Sequence, residues 1–289
     1  MMSGMSRDLA RVRVEYAERI RALAGVRSEA LVRAFATLPR EDFVGPGPWQ
    51  ILRADAVGRG YEATPDADPR LIYDNVLVAL DPARQLNNGE PASLARWLDS
   101  LELTPGERFL HVGCGVGYYT AIAAFALRPG GSAVGLEIDP DLAARARANL
   151  EATDANARIA TDAAEIANET FDAIFVNAGA TRPEASWLDA LRPDGRLLLP
   201  LTVDTDRPTL GIGMMLLVRR AADGWPARFT SPVGVFHCAG ARSSGENDAL
   251  LDALRGGGHE AVRRLRRDDH AAGADCWLHG AGFCLSRRS

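Results

Sequence analysis

The chain has 289 residues and a formal net charge of −5 at pH 7, with 25% charged and 47% apolar residues. This is the balance of an ordinary folded protein, and a mildly acidic chain is a poor general binder of nucleic acid. The sequence contains no lysine, so all 33 cationic side chains are arginines. That composition excludes Schiff-base chemistry, a phosphate-binding P-loop lysine and a dehydrogenase site built on Tyr-x-x-x-Lys.

The cysteine count and the length of the apolar runs bear on the cellular compartment of the protein. Four cysteines in a chain of this length do not suggest a disulfide framework. Charged residues interrupt the N-terminal apolar positions, so no signal peptide is predicted. The longest apolar run, residues 118–127, is about half the length that a membrane span needs. We therefore expect a cytoplasmic protein without a membrane segment.

Helices are predicted at the start of the chain from apolar residues that recur every three or four positions. The first helix has Ser6 as its predicted cap, and the second begins after Ser28 and ends at Pro39. Residues 40–90 are predicted to be loop-like, with Gly and Pro scattered among short apolar pieces. Another amphipathic helix is predicted over residues 93–101.

From residue 108 onward, short apolar strands alternate with helices of about ten residues, which predicts parallel β-α-β units. The predicted strands are residues 108–112, 132–138, 157–161, 172–177 and 195–201, and the predicted helices are residues 118–127, 140–150 and 184–191. Beyond residue 214 we expect an antiparallel pair of strands, followed by a polar helix near residues 247–267.

This pattern predicts an α/β protein with a mostly parallel, twisted sheet. Residues 1–85 are expected to form a helical or irregular cap, and residues 86–205 an α/β core. Residues 206–289 are expected to complete the sheet and add a helical extension.

The strongest motif is FLHVGCGVGYYT at residues 109–120, in which a strand leads through Gly113, Gly115 and Gly117 into a helix. Glycines allow a sharp turn and a close approach to the backbone, and the helix N-terminus offers N–H groups to an anion. Glu137 ends the next strand, where a carboxylate can accept hydrogen bonds from both hydroxyls of a ribose. Together these features predict an adenosine-containing cofactor.

The spacing G-x-G-x-G is typical of S-adenosylmethionine methyltransferases, whereas nicotinamide dehydrogenases, the alternative, use G-x-G-x-x-G. Asp162 follows the third strand and is predicted to accept a hydrogen bond from the adenine amino group. Asn177 ends the fourth strand and begins the loop NAGAT, which is predicted to face the methyl donor. Cys114 is predicted to contribute its backbone to the glycine turn.

Several segments resemble the protein-L-isoaspartate O-methyltransferase family over residues 28–240. They are LPREDFV at 38–44, GVGYYTAIAA at 115–124, FDAIFVNAGA at 171–180, LRPDGRLLLPL at 191–201 and VFHCAG at 235–240. The resemblance implies a class I methyltransferase fold, which is Rossmann-like with helices on both faces of the sheet. It also implies S-adenosylmethionine as cofactor, with contacts at Gly113, Gly115, Gly117, Glu137 and Asp162. The implied acceptor is a carboxylate of a peptide or protein, typically that of an isoaspartyl link.

Two positions depart from the family pattern. Where the family reads Thr-Ile-Ser-x-Pro, this chain reads NNGEP at residues 87–91, so Gly89 stands at the serine position. We expect the side-chain amide of Asn87 or Asn88 to replace the lost donor. His111 stands where the first motif begins with an acid; it is a candidate cofactor contact, and a packed core histidine is the alternative.

The acceptor is less well defined by sequence than the cofactor. A carboxylate is already ionised at pH 7 and needs no general base, which suits a loop without Lys or His. The alternatives are an O-methyltransferase acting on a different acceptor, such as a small molecule of a biosynthetic pathway, and a non-catalytic cofactor binder. The Pro-Pro-aromatic motif of amino-group methyltransferases does not follow Asn177, which disfavours methylation of DNA adenine or of glutamine.

The C-terminal region is rich in potential metal ligands. Their spacing contains no Cys-x-x-Cys pair, so the sequence predicts no metal site. These residues are His237, Cys238, His270, Cys276, His279 and Cys284. The basic run at 263–267 is followed by two aspartates, which favours a solvated helix end over a nucleic-acid patch. The oligomeric state is left open.

Overall fold

The computed structural model describes residues 4–53, 60–207 and 209–288. The chain forms two compact units: Met1–Glu107 with Cys114–Thr161, and Arg108–Gly113 with Asp162–Ser289. We call them the first and the second unit. Each unit combines segments that are distant in sequence, and the predicted division at residues 85 and 205 stays a prediction.

The first unit begins with three helices, α1 (Gly4–Ala24), α2 (Glu29–Thr37) and α3 (Arg40–Val44). The predicted cap at Ser28 is confirmed, because its hydroxyl accepts a hydrogen bond from the backbone N–H of Leu31 at 3.3 Å. The predicted cap at Ser6 is wrong, because the helical backbone continues upstream of that residue to Gly4.

A small antiparallel sheet follows, with the order β2-β1-β3-β4. Its strands are β1 (Gln50–Arg53), β2 (Glu62–Ala63), β3 (Val76–Asp81) and β4 (Leu86–Asn87). The prediction that residues 40–90 are loop-like is wrong for these segments. Strands of two to six residues are too short to show a clear alternation of apolar and polar positions.

The predicted alternation of helix and strand is confirmed in the middle of the chain. α4 (Pro91–Ser100) precedes β5 (Arg108–Val112), which belongs to the second unit. The chain then returns to the first unit with α5 (Tyr118–Ala126), β6 (Ser132–Leu136), α6 (Pro140–Glu151) and β7 (Ala157–Ala160). Strands β6 and β7 pair in parallel.

The second unit contains a mixed sheet. Besides β5, its elements are β8 (Phe171–Val176), α7 (Ala185–Asp189), β9 (Leu191–Asp204), β10 (Leu210–Arg219), β11 (Trp225–Phe236), α8 (Ser244–Gly256), β12 (Arg264–Arg266), β13 (Cys276–Gly280) and β14 (Phe283–Ser286). The strand order is β13-β14-β12-β11-β10-β9-β8-β5. Pairs β5/β8 and β8/β9 are parallel, whereas the pairs beyond β9 are antiparallel. The expected parallel sheet is therefore confirmed for the core strands only.

The predicted polar helix over residues 247–267 is wrong in its second half. Helix α8 ends at Gly256, and the next two glycines have φ angles of +67° and +74°. These angles lie in the left-handed region that glycine adopts readily, so the helix stops there. No helix in the described part of the chain is both long and apolar enough to cross a membrane.

Candidate functional site

The glycine loop, residues 113–117, requires glycine for its backbone conformation. Gly113, Gly115 and Gly117 have φ angles of +71°, +58° and +86°. A side chain in this region costs about 1–2 kcal/mol per residue. At Gly117 a Cβ atom would also lie 3.4 Å from the Cβ of Ala146 on α6. At Gly115 no described atom lies within 4 Å of that position, so the backbone there has open space beside it.

Cys114 contributes to this loop through packing and backbone, as predicted. Its N–H donates to the carbonyl of Leu136 at 3.3 Å, which ties the loop to β6. A Cβ on Gly135 would lie only 2.7 Å from Cys114 Sγ, so the glycine makes room for the sulfur. Burial raises the pKa of the Cys114 thiol, with a further contribution from Glu137, so it stays protonated at neutral pH.

Asn149 on α6 holds the other side of the glycine loop. Its Nδ2 donates to the carbonyl of Val116 at 2.9 Å and to the carbonyl of Phe43 at 3.3 Å. One amide therefore connects the loop to the end of the LPREDFV segment. Sequence reasoning missed this residue. Its signal is a polar side chain on the buried face of α6, next to Ala146 and Leu150.

Glu137 is fixed beside the glycine loop. Its Oε2 accepts from the N–H of Gly115 at 2.8 Å, and its Oε1 accepts from the N–H of Asp139 at 3.0 Å. Burial raises the pKa of this carboxyl, and the two N–H donors oppose the shift. Each carboxylate oxygen accepts about two hydrogen bonds, so both oxygens can still accept from a ribose hydroxyl.

The loop at residues 87–90 is predicted from sequence to hold the methyl acceptor, and we call it the acceptor loop. It lies against the first turn of α5. The Tyr119 hydroxyl donates to the carbonyl of Gly89 at 3.5 Å, and Asn87 Oδ1 accepts from the N–H of Gly89 at 2.9 Å. Gly89 has a φ of +76°, and a Cβ there would lie 2.9 Å from Leu94 Cδ2. A serine at this position would be strained in this backbone conformation.

Asn88 places a buried donor in the acceptor loop. Its backbone N–H donates to the carbonyl of Val78 at 2.9 Å, and only 8% of the residue is exposed. Its side-chain Nδ2 is buried and has no acceptor among the described residues. A buried amide donor normally has a partner, so this group is suited to an incoming acceptor.

The remaining predicted site residues belong to the second unit. His111 is fully buried and stacks on Phe175 at 5.1 Å between ring centroids, and burial lowers its pKa to about 3. Asp162 is exposed and caps a short 3₁₀ helix, with Oδ1 accepting from the N–H of Ala164 at 2.8 Å. Asn177 donates its backbone N–H to Val112 at 2.8 Å. Their contacts with a cofactor stay predictions.

Comparison with known proteins identifies the family of this chain. Residues 69–212 match the family model described as protein-L-isoaspartate(D-aspartate) O-methyltransferase. The protein-L-isoaspartate O-methyltransferase of Methylorubrum extorquens is 30% identical over 230 residues, which covers 78% of this chain and 87% of that protein. A relative from Anaeromyxobacter with the same family name is 35% identical over 192 residues, covering 64% and 79% respectively. The chain belongs to this family.

Solved structures agree on the fold. A protein-L-isoaspartate O-methyltransferase superposes with a TM-score of 0.63 at 17% identity, covering 88% of this chain and 72% of that one. A putative member from Plasmodium falciparum, in complex with S-adenosyl-L-homocysteine, gives 0.57 at 18% identity, covering 78% and 97%. The class I methyltransferase fold is confirmed. Family membership also confirms the predicted enzyme class and S-adenosylmethionine as the cofactor.

Three aromatic residues near the N-terminal end of the chain, Trp49, Tyr61 and Tyr73, have different surroundings. Trp49 and Tyr73 are buried in the first unit, with 5% and 3% of their surfaces exposed. Tyr61 is partly exposed and hydrogen bonds to Asn87 in the acceptor loop. Of the three, Tyr61 is the aromatic residue in contact with the acceptor loop.

Proposed function

We propose that this chain transfers the methyl group of S-adenosylmethionine to the α-carboxylate of isoaspartyl residues in peptides or proteins. One observation carries the proposal: the acceptor loop and the glycine loop meet the same end of helix α5. Gly117 caps that helix, and Tyr119 in its first turn hydrogen bonds to Gly89. A cofactor held at the glycine loop therefore lies close to an acceptor held at residues 87–90.

The residues of the first unit fit the cofactor. Glu137 receives the ribose hydroxyls, and the N–H groups at the start of α5 receive the methionine carboxylate. The open space beside Gly115 lets the cofactor approach the backbone. When bound, S-adenosylmethionine supplies the electrophilic methyl group. The sequence pattern adds two expected contacts, one between Asp162 and the adenine and one between Asn177 and the methyl donor.

The acceptor side needs positioning more than acid–base chemistry. The substrate carboxylate has an ordinary pKa of about 4 and is ionised at pH 7, so the enzyme need not remove a proton. Asn88 Nδ2 donates a hydrogen bond to one carboxylate oxygen and aims the other at the methyl group. Alignment of two reactants in this way supplies up to about 7–11 kcal/mol of rate acceleration.

The acceptor assignment is tested with a synthetic isoaspartyl peptide and its normal aspartyl twin. We expect methyl ester on the isoaspartyl peptide alone. Asn88→Ala should lower kcat/KM by about 5- to 150-fold, which corresponds to one lost hydrogen bond to a charged group. Its affinity for S-adenosylhomocysteine should not change. Asn156→Ala, which removes a structural amide elsewhere in the first unit, is the matched control and should retain activity.

Other outcomes identify the alternatives. If S-adenosylhomocysteine binds but the isoaspartyl peptide carries no ester above background, the acceptor is a different molecule, such as a small carboxylate. If tritiated methyl groups reach no protein or small molecule in a cell extract, the chain is a non-catalytic cofactor binder. A cytoplasmic location and the absence of a nucleic-acid partner stay predictions from sequence.

The ribose contact is tested by Glu137→Ala. Each hydrogen bond to a charged group contributes about 1.5–3 kcal/mol, so loss of both ribose contacts is expected to weaken S-adenosylhomocysteine binding by about 3–6 kcal/mol, measured by titration calorimetry. Glu151→Ala, on the exposed end of α6, is the matched control and should bind like the unmodified protein. Unchanged affinity in Glu137→Ala would show that the ribose lies elsewhere.

A further inference from the structure

A second cluster of reactive side chains lies in the C-terminal part of the second unit. His270, Cys276, His279 and Cys284 each offer one ligand atom, and these atoms all lie within 4.8 Å of one another. Cys276 Sγ is 3.7 Å from His270 Nε2 and 4.0 Å from His279 Nδ1. In a tetrahedral zinc site, sulfur and nitrogen ligands are about 3.6 Å apart. Small side-chain rotations would therefore complete such a site.

Strand pairing brings three of these residues to one face. His279 on β13 lies directly opposite Cys284 on β14. Residues three positions apart on a regular strand point to opposite faces, which would separate Cys276 from His279. The β13/β14 register shifts between Cys276 and Leu278, and this irregularity turns Cys276 to the face of His279. His270 joins them from the connection between β12 and β13.

Neighbouring backbone groups orient two of the four residues as ligands. His270 Nδ1 lies 3.0 Å from the carbonyl of Asp268, so this nitrogen carries the proton and Nε2 is left to face Cys276. Such an outer hydrogen bond is usual for metal-bound histidine. The N–H of Gly273 donates to Cys276 Sγ at 3.4 Å, which stabilises a thiolate.

We propose that His270, Cys276, His279 and Cys284 bind one structural Zn²⁺ ion. Two thiolates and two neutral imidazoles complete a four-coordinate set, which leaves no position for a catalytic water. Binding releases the two thiol protons, and the resulting site is electrically neutral. The ion fastens residues 267–275 to strands β13 and β14, which are five and four residues long. The site is independent of methyl transfer.

Sequence spacing could not reveal this arrangement. The ligands follow one another as His-x5-Cys-x2-His-x4-Cys, without the Cys-x-x-Cys pair on which the prediction of no metal was based. The other two candidates, His237 and Cys238, are not part of the cluster. His237 Nε2 instead lies 3.5 Å from Asp204 Oδ1.

The test measures metal content of the full chain, purified with a phosphine reductant and reconstituted with zinc. We expect one zinc per chain by plasma mass spectrometry. Replacement by Co²⁺ should produce the visible absorption of tetrahedral cobalt together with thiolate charge-transfer bands. The double variant Cys276→Ser/Cys284→Ser should lose both signals. Cys238→Ser, a buried cysteine in the same unit, is the matched control and should retain them.

Three results would overturn the proposal. They are the absence of zinc above background in the reconstituted protein, full zinc content in the double variant, and a Cys276–Cys284 disulfide that persists in the reduced preparation. The cobalt titration of the unmodified chain needs no variant, so the proposal stays testable if the double variant fails to fold. As a stability readout, chelation should lower the melting temperature of the unmodified chain and leave that of a folded double variant unchanged.

Discussion

Replacing Arg40 with Met is expected to lower the free energy of unfolding by about 3–5 kcal/mol. Arg40 is completely buried in the first unit. Its guanidinium donates to the carbonyls of Ile72 at 2.6 Å, Asp74 at 3.2 Å and Val76 at 2.7 Å. In the described part of the chain, no ion pair joins it to a carboxylate. The methionine would remove all three hydrogen bonds. The carbonyl of Asp74 keeps a hydrogen bond from the N–H of Val76 at 2.9 Å, whereas the buried carbonyls of Ile72 and Val76 lose the guanidinium donor.

Urea unfolding at neutral pH measures this loss. Arg40→Lys keeps the charge but not the planar group that reaches three carbonyls, so its stability should lie between those of the unmodified chain and Arg40→Met. Arg33→Met removes an exposed arginine of α2 and should change stability by less than about 0.5 kcal/mol. A loss below about 1 kcal/mol in Arg40→Met would show that the carbonyls find other donors.

The buried arginine also explains why the LPREDFV segment is recognisable in sequence. Arg40 binds the backbone between the 3₁₀ helix Pro69–Ile72 and β3, and the carbonyl of Phe43 accepts from Asn149. The segment therefore connects the N-terminal helices to the small antiparallel sheet β1–β4 and to the glycine loop. The sequence motif identifies the segment, but it does not show which groups the segment binds, because those groups are distant along the chain.

The elements that could be predicted from sequence are those whose backbone conformation depends on neighbouring residues alone. The glycine loop and its following helix were predictable because positive φ angles at Gly113, Gly115 and Gly117 are a local requirement. The same local requirement ends α8 at residues 256–258, because Gly257 and Gly258 have positive φ angles where the apolar periodicity alone predicts a longer helix. The pattern does not predict strands β1 to β3, because β1 pairs with segments that are distant in sequence, and it does not predict β4, because that strand has only two residues.

In the candidate site too, features set by local sequence could be predicted and features set by tertiary contacts could not. Glu137 was predictable, since the end of the second core strand is defined by the pattern itself. The burial of Asn88 Nδ2 could not be predicted, because it depends on how the acceptor loop packs against Tyr119 and β3. The zinc site that we propose could not be predicted for a related reason. A register shift near Cys276 and the pairing of β13 with β14 are tertiary features, so linear spacing does not contain them.

Acidification is expected to destabilise the protein through His111. Burial lowers its pKa to about 3, well below the value of about 6.5 in an unfolded chain. Below the unfolded value, the unfolded state binds a proton that the folded state does not accept. The contribution to stability is therefore complete above pH 6.5 and is lost as the pH falls. It should amount to about 2–3 kcal/mol between pH 7 and pH 4.5.

Denaturant unfolding at a series of pH values, compared between the unmodified chain and His111→Gln, isolates this effect. The variant cannot take up the proton, so its free energy of unfolding should fall less steeply on acidification. Comparing slopes removes any pH-independent loss from the stacking with Phe175, as well as the titration of carboxyl groups common to both proteins. His259→Gln, a histidine of the same unit that is 33% exposed, should follow the unmodified chain. If the free energy of unfolding has the same pH slope in all three proteins, His111 accepts a proton in the folded state. Such a result would contradict the burial of the His111 ring against Phe175.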